Sequence, residues 1–407
     1  MSEGASGYDA TRIAVLEGRE AIRKRPGMYV GSTGVRGLYH LLFEVVGWSV
    51  NEVLAGGGGC VDVTLTPDGG VRVTDDGQGV PVEAAGDTGG TGLEALLTRP
   101  YAGTGPGCRP TVNWWSAFGT GPCVTNALSS RLTAEVRRGQ VRWVQEYVRG
   151  AAVAPPVAAG PATGGGTSIA FWPDAGIFET TEYSFAVLAE RFREMALLNR
   201  GLSISLTDER PEGGPRSVRF RFSGGPEDFV AFLDAQTGGY VTPDIIAFER
   251  EDARMAGTVE VALSWRDLGE ERIRTFANCV PTPEGGTHAD GFRAGVTAAV
   301  NTYARRRGLL TAADPDLTTD HIGKGLTAVV SVKLESPEYQ GATRGKLGGA
   351  TVYDCVEQAV GEHLGTWLTR QPEQAADLIG RITRATRCAA GTTPPHVSDG
   401  PVPAGGR

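Results

Sequence analysis

The sequence has no long apolar run, few cysteines and no excess of positive charge. No stretch of about 18 apolar residues occurs, which predicts that no helix spans a membrane. Residues 1–12 lack the apolar core of a signal peptide. The six cysteines form no CxxC pair, which argues against structural zinc and against a disulfide framework. We therefore expect a cytoplasmic protein with reduced thiols.

Charge and length limit the class of protein further. Lys and Arg number 39 against 47 Asp and Glu, so the net charge of −8 excludes a bulk basic coat for nucleic acid. The 407 residues exceed one ordinary core of about 100–200 residues, which predicts two domains. Turn-rich residues 224–227 suggest a boundary, and we set the domains at 1–220 and 221–388. Residues 389–407, rich in Pro, Gly and Thr, predict a disordered tail.

Hydrophobic spacing in the first half predicts helices that alternate with hairpins. Apolar residues at helical spacing predict a helix over 38–55. Alternation and turn residues predict hairpins over 60–73 and 132–147 and a strand over 167–172. A further amphipathic helix is predicted over 183–199. Hairpins between helices indicate an antiparallel α+β sandwich and argue against a doubly wound sheet.

The second half predicts one crossover onto a second sheet. Strands are predicted over 258–265, 273–280 and 326–334, and a long helix over 289–309 separates the last two. The order strand, helix, strand implies a right-handed crossover connection. Another helix is predicted over 352–368.

Two polar residues stand out on the first strong helix. His40 precedes Glu44 by four residues, so both lie on a helix face that is otherwise filled with Leu and Val. A His that bonds to a half-buried carboxylate is one way to build a general base. The alternative is a helix-surface pair that contributes roughly a few tenths of a kcal/mol. The pair alone favours that alternative.

Glycine-rich segments lie beside two of the predicted strands. Residues 75–81, DDGQGVP, put the Asp75 carboxylate beside a sharp turn, where a flat ligand can approach the backbone and an exocyclic amine can donate a hydrogen bond. Residues 164–166 are glycines that lead into Thr167, whose hydroxyl could share a water with Asp75. A plain Asx turn and an ordinary turn before a strand are the alternatives.

The order of these features is less common than its parts. A helix Glu, then DxGxG, then a glycine loop and Gly-Thr before a strand resembles the GHKL ATPase fold. Longer segments are similar to the B subunits of DNA gyrase and topoisomerase IV. They are YDA (8–10), VLEG (15–18), IRKRPGMYVGS (22–32), NALS (126–129), FWPD (171–174), PTPEGGTH (281–288) and GLTAVVSVK (325–333). The resemblance covers residues 8 to about 385 and implies a GHKL (Bergerat) ATPase sandwich followed by a ribosomal-S5-like transducer domain.

The resemblance also implies roles for particular residues, with ATP as the ligand. Glu44 matches the general base that activates water, and His40 matches its partner. Asp75 matches the Asp that reads adenine, and Thr167 the Thr that shares its water. Further matches to nucleotide-binding positions are Gly79, Pro81, Gly119, Gly121, Arg344, Tyr8 and Ile13. The last two belong to an N-terminal arm that reaches over the second subunit's nucleotide in the family.

The chain departs from the family at phosphate and metal contacts. The family helix continues from its Glu as Val-Val-Asp-Asn, and Trp48 stands where that Asn holds Mg²⁺. Trp has no oxygen to offer a hard cation, so we assign no metal ligand. The family lid reads KxSGGLHGVG, whereas residues 112–121 read VNWWSAFGTG, which keeps only Gly119 and Gly121 as one Gly-x-Gly. Arg344 replaces the γ-phosphate lysine.

Contact with DNA requires concentrated positive charge in an acidic chain. Arg293 resembles one of the arginines that face the family's DNA cavity, and Arg305–Arg307 lie at the end of the same predicted helix. A solvated helix end, where cations offset the helix dipole, is the alternative for Arg305–Arg307. We expect weak, backbone-mediated binding of duplex DNA.

The leading hypothesis is a truncated gyrase B-like protein, an ATP-binding dimer-gate module with weak or absent hydrolysis. The chain ends where the family's ATPase and transducer segments end, so we expect no DNA cleavage by this polypeptide alone. Expected partners are a second copy or a gyrase B-type subunit, a gyrase A-type subunit and duplex DNA. One alternative is a non-catalytic interaction protein that modulates a true gyrase or topoisomerase IV. Another is an active ATPase with a rearranged metal site.

Overall fold

The computed structural model describes residues 18–56, 58–83, 91–100, 120–236, 244–266, 269–341 and 344–389. Within these ranges the chain forms two large sheets, each with its own set of packed helices. None of the helices in the described ranges is both long enough and apolar enough to cross a bilayer.

The first sheet is mostly antiparallel and carries nine strands. They are β1 (Gly59–Leu65), β2 (Val71–Asp75), β3 (Ser129–Arg138), β4 (Val141–Val148), β5 (Ala151–Ala152), β6 (Val157–Pro161), β7 (Gly166–Pro173), β8 (Leu202–Asp208) and β9 (Arg216–Arg221). Their order is β5-β4-β3-β7-β2-β1-β8-β9, and β6 also pairs with β4. β1 pairs with β8 in parallel and with β2 in antiparallel fashion. In β2, residues 71, 73 and 75 are buried and Arg72 is exposed, so helices cover one face of the sheet at this strand.

Helices of the first half pack on the covered face. They are α1 (Gly18–Lys24), α2 (Gly27–Val30), α3 (Val35–Ala55), α4 (Gly92–Thr98), α5 (Pro122–Ala127) and α6 (Phe185–Leu198). α3 is the central helix, because its leucines and valines from Leu38 to Val53 are buried in the first core. α6 begins after Ser184, whose hydroxyl accepts a hydrogen bond from the Val187 N–H and caps the helix.

The second half forms a smaller sheet of five strands that is covered on both faces. Its elements are α7 (Pro226–Ala235), β10 (Ile246–Asp252), β11 (Gly257–Trp265), β12 (Arg272–Ala277), β13 (Val280–Pro281), α8 (Thr287–Arg306), α9 (Thr319–Gly323), β14 (Leu326–Leu334), β15 (Tyr339–Gln340), β16 (Lys346–Leu347), α10 (Ala350–Arg370) and α11 (Pro372–Ala389). The strand order is β10-β11-β14-β12-β13, and β15 pairs with β16. One face packs against α8 and α10, and the other contributes Ala262, Phe276 and Val329 to the first core.

Most predicted elements are confirmed, with one correction in the second sheet. β12 and β14 are parallel and are joined through α8, as the predicted crossover requires. The strand predicted over 273–280 is instead a short hairpin, β12 and β13, that turns at Asn278 and Cys279. Both turn residues have positive φ, 49° and 63°. The Asn278 amide holds the turn by bonding to the backbone N–H and C=O of Leu334, each at 2.8 Å. The domain boundary and the tail, of which residues 390–407 lie outside the described ranges, stay predictions.

Candidate functional site

The buried polar pair on α3 forms as its spacing predicts. The Nε2 atom of His40 lies 3.1 Å from the Oε1 atom of Glu44. Both residues are buried, with 8% and 3% of their surface exposed. The pair is therefore not a solvated surface contact, and the structure supports the arrangement in which His40 orients the carboxylate.

The entry to α5 adds two donors to the same carboxylate. The hydroxyl of Thr120 donates to Oε1 of Glu44 at 3.1 Å, and the N–H of Gly121 donates to Oε2 at 2.8 Å. Gly121 has a φ of 82°, a region that favours glycine, and it precedes Pro122 at the first turn of the helix. Gly121, which sequence reasoning treats as a nucleotide contact, thus holds the carboxylate of Glu44 in this structure.

Trp48 lies one turn beyond Glu44 on the same side of α3. It is half-buried and packs against the first core. Its indole can donate one hydrogen bond and offers no oxygen ligand. Within the described ranges, no group of three or more His, Cys, Asp or Glu side chains is arranged to hold a metal ion. An indole supplies no oxygen ligand for a hard cation such as Mg²⁺, and the absence of a metal ligand at this position stays a prediction.

Asp75 ends β2 with a carboxylate that is 2% exposed. Its Oδ1 atom accepts hydrogen bonds from the backbone N–H of Gly77 at 3.0 Å and of Thr167 at 3.1 Å. Its Oδ2 atom accepts from the hydroxyl of Ser49 at 3.1 Å. Burial raises the pKa of Asp75 to about 6, although these three hydrogen bonds act in the opposite direction.

The Asx turn that sequence reasoning kept as an alternative is therefore present, but it is not the whole arrangement. The Gly77 N–H bond is that turn, whereas Thr167 and Ser49 bring two distant segments to the same carboxylate. Ser49 follows Glu44 by five residues on α3, about 7–8 Å along the helix axis. One helix thus carries Glu44 and supports Asp75.

Glycines allow the turn after β2 to lie against the end of β3 and the start of β7. A Cβ atom on Gly79, which has a φ of 77°, would lie 2.6 Å from the carbonyl oxygen of Arg137. A Cβ atom on Gly165 would lie 2.5 Å from the carbonyl oxygen of Gly77. Such distances are below any ordinary contact, so larger residues would force the turn away from these two strands.

Further hydrogen bonds hold the backbone of the turn after β2 in place. The hydroxyl of Thr167 accepts from the Val80 N–H at 3.3 Å, so this side chain bonds to the turn backbone. The guanidinium of Arg138 donates to the Gly79 carbonyl at 2.8 Å. Pro81 is exposed, and its carbonyl accepts from the Leu93 N–H at the start of α4.

The predicted site residues thus fall into three groups. Glu44, His40 and Gly121 meet at α3, and the residues around Asp75 meet at the end of β2. Arg344 lies in the loop between β15 and β16, with its guanidinium 5.6 Å from the ring centre of Tyr339. The positions that lie outside the described residues are Tyr8, Ile13 and Gly119.

Sequence reasoning did not identify three residues that shape the site. Thr120 and Ser49 bond to the two key carboxylates, and Arg138 bonds to the turn. Ser49 carries no local signal, because a spacing of five places it about 140° around α3 from Glu44. Thr120 and Arg138 act over separations of 76 and 59 residues, for which the sequence pattern carries no signal.

The α+β fold is that of the GHKL ATPases, with a carboxylate on a helix and a buried Asp before a glycine turn. Comparisons with known proteins identify the family within this class. A sequence profile described as DNA gyrase B matches residues 225–390. The DNA gyrase B subunit of Streptomyces coelicolor is 45% identical over 94% of this chain and 58% of its own length. The 43K ATPase domain of Thermus thermophilus gyrase B, solved with an aminocoumarin, has a TM-score of 0.76 at 31% identity, over 92% of this chain and 96% of that one.

A topoisomerase IV ATP binding domain from Francisella tularensis, solved with a small-molecule inhibitor, has a TM-score of 0.73 at 26% identity. That match covers 92% of this chain and 99% of the solved one. The chain belongs to the DNA gyrase B family. It spans just under three fifths of the length of the curated relatives that it matches, 58% for the Streptomyces coelicolor protein.

Proposed function

We propose that the chain is an ATP-binding dimer-gate module of a B-type subunit of a type II DNA topoisomerase, and that its hydrolysis is weak or absent. The observation that carries the proposal is the buried carboxylate of Asp75, fixed by Ser49, Gly77 and Thr167 beside a glycine turn. Such a carboxylate is suited to accept a hydrogen bond from the exocyclic amine of adenine. The glycines of the turn let it pack closely against the end of β3 and the start of β7, which fixes the position of this carboxylate.

The residues at the proposed phosphate side of the site support weak or absent hydrolysis. Glu44 is the proposed general base and His40 the residue that orients it. Phosphoryl transfer depends chiefly on metal and cationic groups that stabilise the transferred phosphate. Trp48 offers no ligand for Mg²⁺, and Arg344 brings a guanidinium of a different shape where the family has lysine. We therefore expect binding that depends more on adenine than on phosphate.

Calorimetry with a non-hydrolysable ATP analogue tests the proposal. We expect binding that changes little when Mg²⁺ is removed. Asp75→Ala should weaken it about tenfold or more, because a buried hydrogen-bond partner is lost. The matched control is Asp68→Ala, an exposed Asp in the β1–β2 turn that bonds to Thr66 and Trp172.

One result would contradict the proposed adenine pocket, and another would contradict the proposed loss of hydrolysis. Equal affinity in the wild type and in Asp75→Ala would mean that the adenine pocket is assigned wrongly. ATP turnover at an ordinary family rate that Glu44→Ala abolishes would mean that the catalytic site is intact, as in an active ATPase with a rearranged metal site.

The second candidate function is a non-catalytic interaction protein that pairs with or modulates a true gyrase or topoisomerase IV. Trp48, an aromatic side chain at a metal-binding position, favours it. Failure to bind nucleotide, together with co-elution with a gyrase B-type subunit, would select this candidate.

Several further assignments belong to the proposal. Residues 1–220 would bind nucleotide, with Tyr8 and Ile13 in a dimerisation arm, and residues 221–388 would act as the transducer. The partners would be a second copy or a gyrase B-type subunit, a gyrase A-type subunit and duplex DNA. A cytoplasmic location stays a prediction from the sequence.

A further inference from the structure

We infer that the hydroxyl of Thr120 restrains the carboxylate of Glu44, which makes Thr120 a positioning residue that limits hydrolysis. The inference rests on the proposed role of Glu44 as general base. It concerns a residue where the lid sequence of this chain differs from that of the family, which has Val at this place.

The restraint follows from the number of donors around Glu44. A carboxylate oxygen has two lone pairs. Oε1 receives both the Nε2 atom of His40 and the hydroxyl of Thr120, each at 3.1 Å, which is as many donors as its lone pairs can accept. Oε2 receives the N–H of Gly121 at the shorter distance of 2.8 Å.

A general base must direct a lone pair at the water from which it takes a proton. At Oε1 the two donors occupy both of these directions. The three partners are also mutually fixed, because His40 lies one turn earlier on α3 while Thr120 and Gly121 are consecutive at the start of α5. Thr120 is 2% exposed, so bulk water does not compete well for its hydroxyl. Both lone pairs of Oε1 therefore point at protein donors, so Oε2, which already accepts from the Gly121 N–H, is the oxygen that would have to take the proton.

Of the three donors around Glu44, Thr120 is the one that a substitution can remove while the shape of the side chain is kept. The Gly121 donor is a backbone N–H, and His40 is the proposed orienting partner of the base. Thr120→Val replaces one hydroxyl by a methyl group of similar size. It should leave one lone pair of Oε1 to accept a proton from water.

The experiment measures ATP turnover in the full chain in a Trp48→Asn background, which supplies an oxygen ligand for Mg²⁺. Adding Thr120→Val should raise kcat about tenfold, the ordinary effect of one hydrogen bond to a charged group. KM for ATP should change less than about twofold, since the hydroxyl touches the base and not the ligand. Thr120→Ser in the same background keeps a hydroxyl and should leave kcat near the parent value.

Thr125→Val, on the short helix α5 that follows Thr120, is the matched control. The Thr125 hydroxyl is buried and donates to the Leu41 carbonyl at 2.8 Å, away from Glu44. This variant should lower the unfolding temperature and leave kcat no higher. Glu44→Gln should abolish turnover in every background.

The decisive comparison is the Trp48→Asn protein with and without Thr120→Val. Equal turnover in these two proteins, or turnover in neither, overturns the inference. Calorimetry on the same samples distinguishes failure of this inference from failure of the proposed function. The proposed function stands if the ATP analogue still binds and fails if it does not.

A second measurement does not depend on turnover. Thr120→Val should lower the unfolding temperature of the wild type more than that of a Glu44→Ala protein, because the hydroxyl loses its partner in the latter. Equal shifts in the two backgrounds would also overturn the inference.

Discussion

The buried carboxyl group of Asp75 couples the stability of the chain to pH. Burial raises its pKa to about 6, from an ordinary value near 3.8. Because the folded-state pKa is the higher one, the contribution of Asp75 to stability is full below about pH 4 and is lost as the pH rises through 6. Asp75→Asn removes the charge and keeps the shape. We therefore expect this variant to be more stable than the wild type at pH 7.5, by about 2 kcal/mol.

Urea unfolding at pH 4.5 and 7.5 measures this effect. The advantage of Asp75→Asn should shrink markedly at pH 4.5, where the wild-type carboxyl is mostly protonated. Asp68→Asn is the control with the opposite sign, because the hydrogen bond from Thr66 is the main cause that holds the pKa of Asp68 below its usual value. An advantage of Asp75→Asn that is the same at both pH values would contradict the assignment.

Residue-level contacts were predictable from the sequence only where they are local. The His40–Glu44 pair follows from a spacing of four on one helix, and the Asp75–Gly77 bond follows from an Asx turn. Thr120 reaches Glu44 from 76 residues away. That contact depends on how α5 packs against α3, which no local pattern encodes.

Among the elements, α8 and α10 approach each other at glycines. A Cβ atom on Gly295 would lie 2.6 Å from the Glu357 carbonyl oxygen, whereas one on Gly361 would meet nothing within 4 Å. Both glycines lie inside helices, so alanine brings each the same gain in helix propensity, about 0.5–1 kcal/mol. Gly361→Ala should therefore stabilise the chain, and Gly295→Ala should destabilise it by about 1–3 kcal/mol through overpacking.

Thermal unfolding of the two variants decides this prediction, since they differ only in what the added methyl group meets. A rise of the unfolding temperature in both variants would show that the two helices can separate at little cost at Gly295.

Hydrophobic periodicity predicted the elements that have a continuous pattern. The strand predicted over 326–334 has those bounds in β14, because nearly all of its residues are buried on both faces of the second sheet. The break between β12 and β13 was missed, since apolar residues continue across Asn278 and Cys279. There a distant bond from the Asn278 amide to Leu334 makes the turn, so tertiary contacts override the local pattern.

For the whole molecule, the fold class was predictable because motif order along the chain survives the loss of individual residues. Glu44, Asp75 and Thr167 keep their order along the chain, although Trp48 and the lid depart from the family. Asp75 accepts hydrogen bonds from Thr167 and from Ser49 of α3, the helix that also carries Glu44. Burial of the Asp75 carboxylate requires only the core and the glycine turn, whereas the proposed phosphate contacts would depend on separate residues. The architecture can therefore persist while catalytic groups change.

The proposed binding of duplex DNA would involve the charge of the whole molecule. The net charge is −8, so any attraction must be local. Arg293 is not an isolated cation, because Glu271 accepts from its guanidinium at 2.6 and 3.2 Å. Arg305 is likewise tied to Asp316 and to the carbonyl of Asp314. Both ion pairs weaken the field that a DNA cavity would need.

A salt titration of duplex binding tests whether Arg293 contributes. If it contacts phosphate, Arg293→Ala should lower affinity and reduce the slope of log affinity against log salt by about one. Glu271→Gln should act in the opposite direction, by about threefold or more at low salt, because it releases the guanidinium and removes a negative charge. Arg219→Ala, which removes an equal charge from a surface pair with Asp62 on β1, is the control. Equal slopes for the two alanine variants, or no binding at low salt, would leave the chain without a DNA gate at α8.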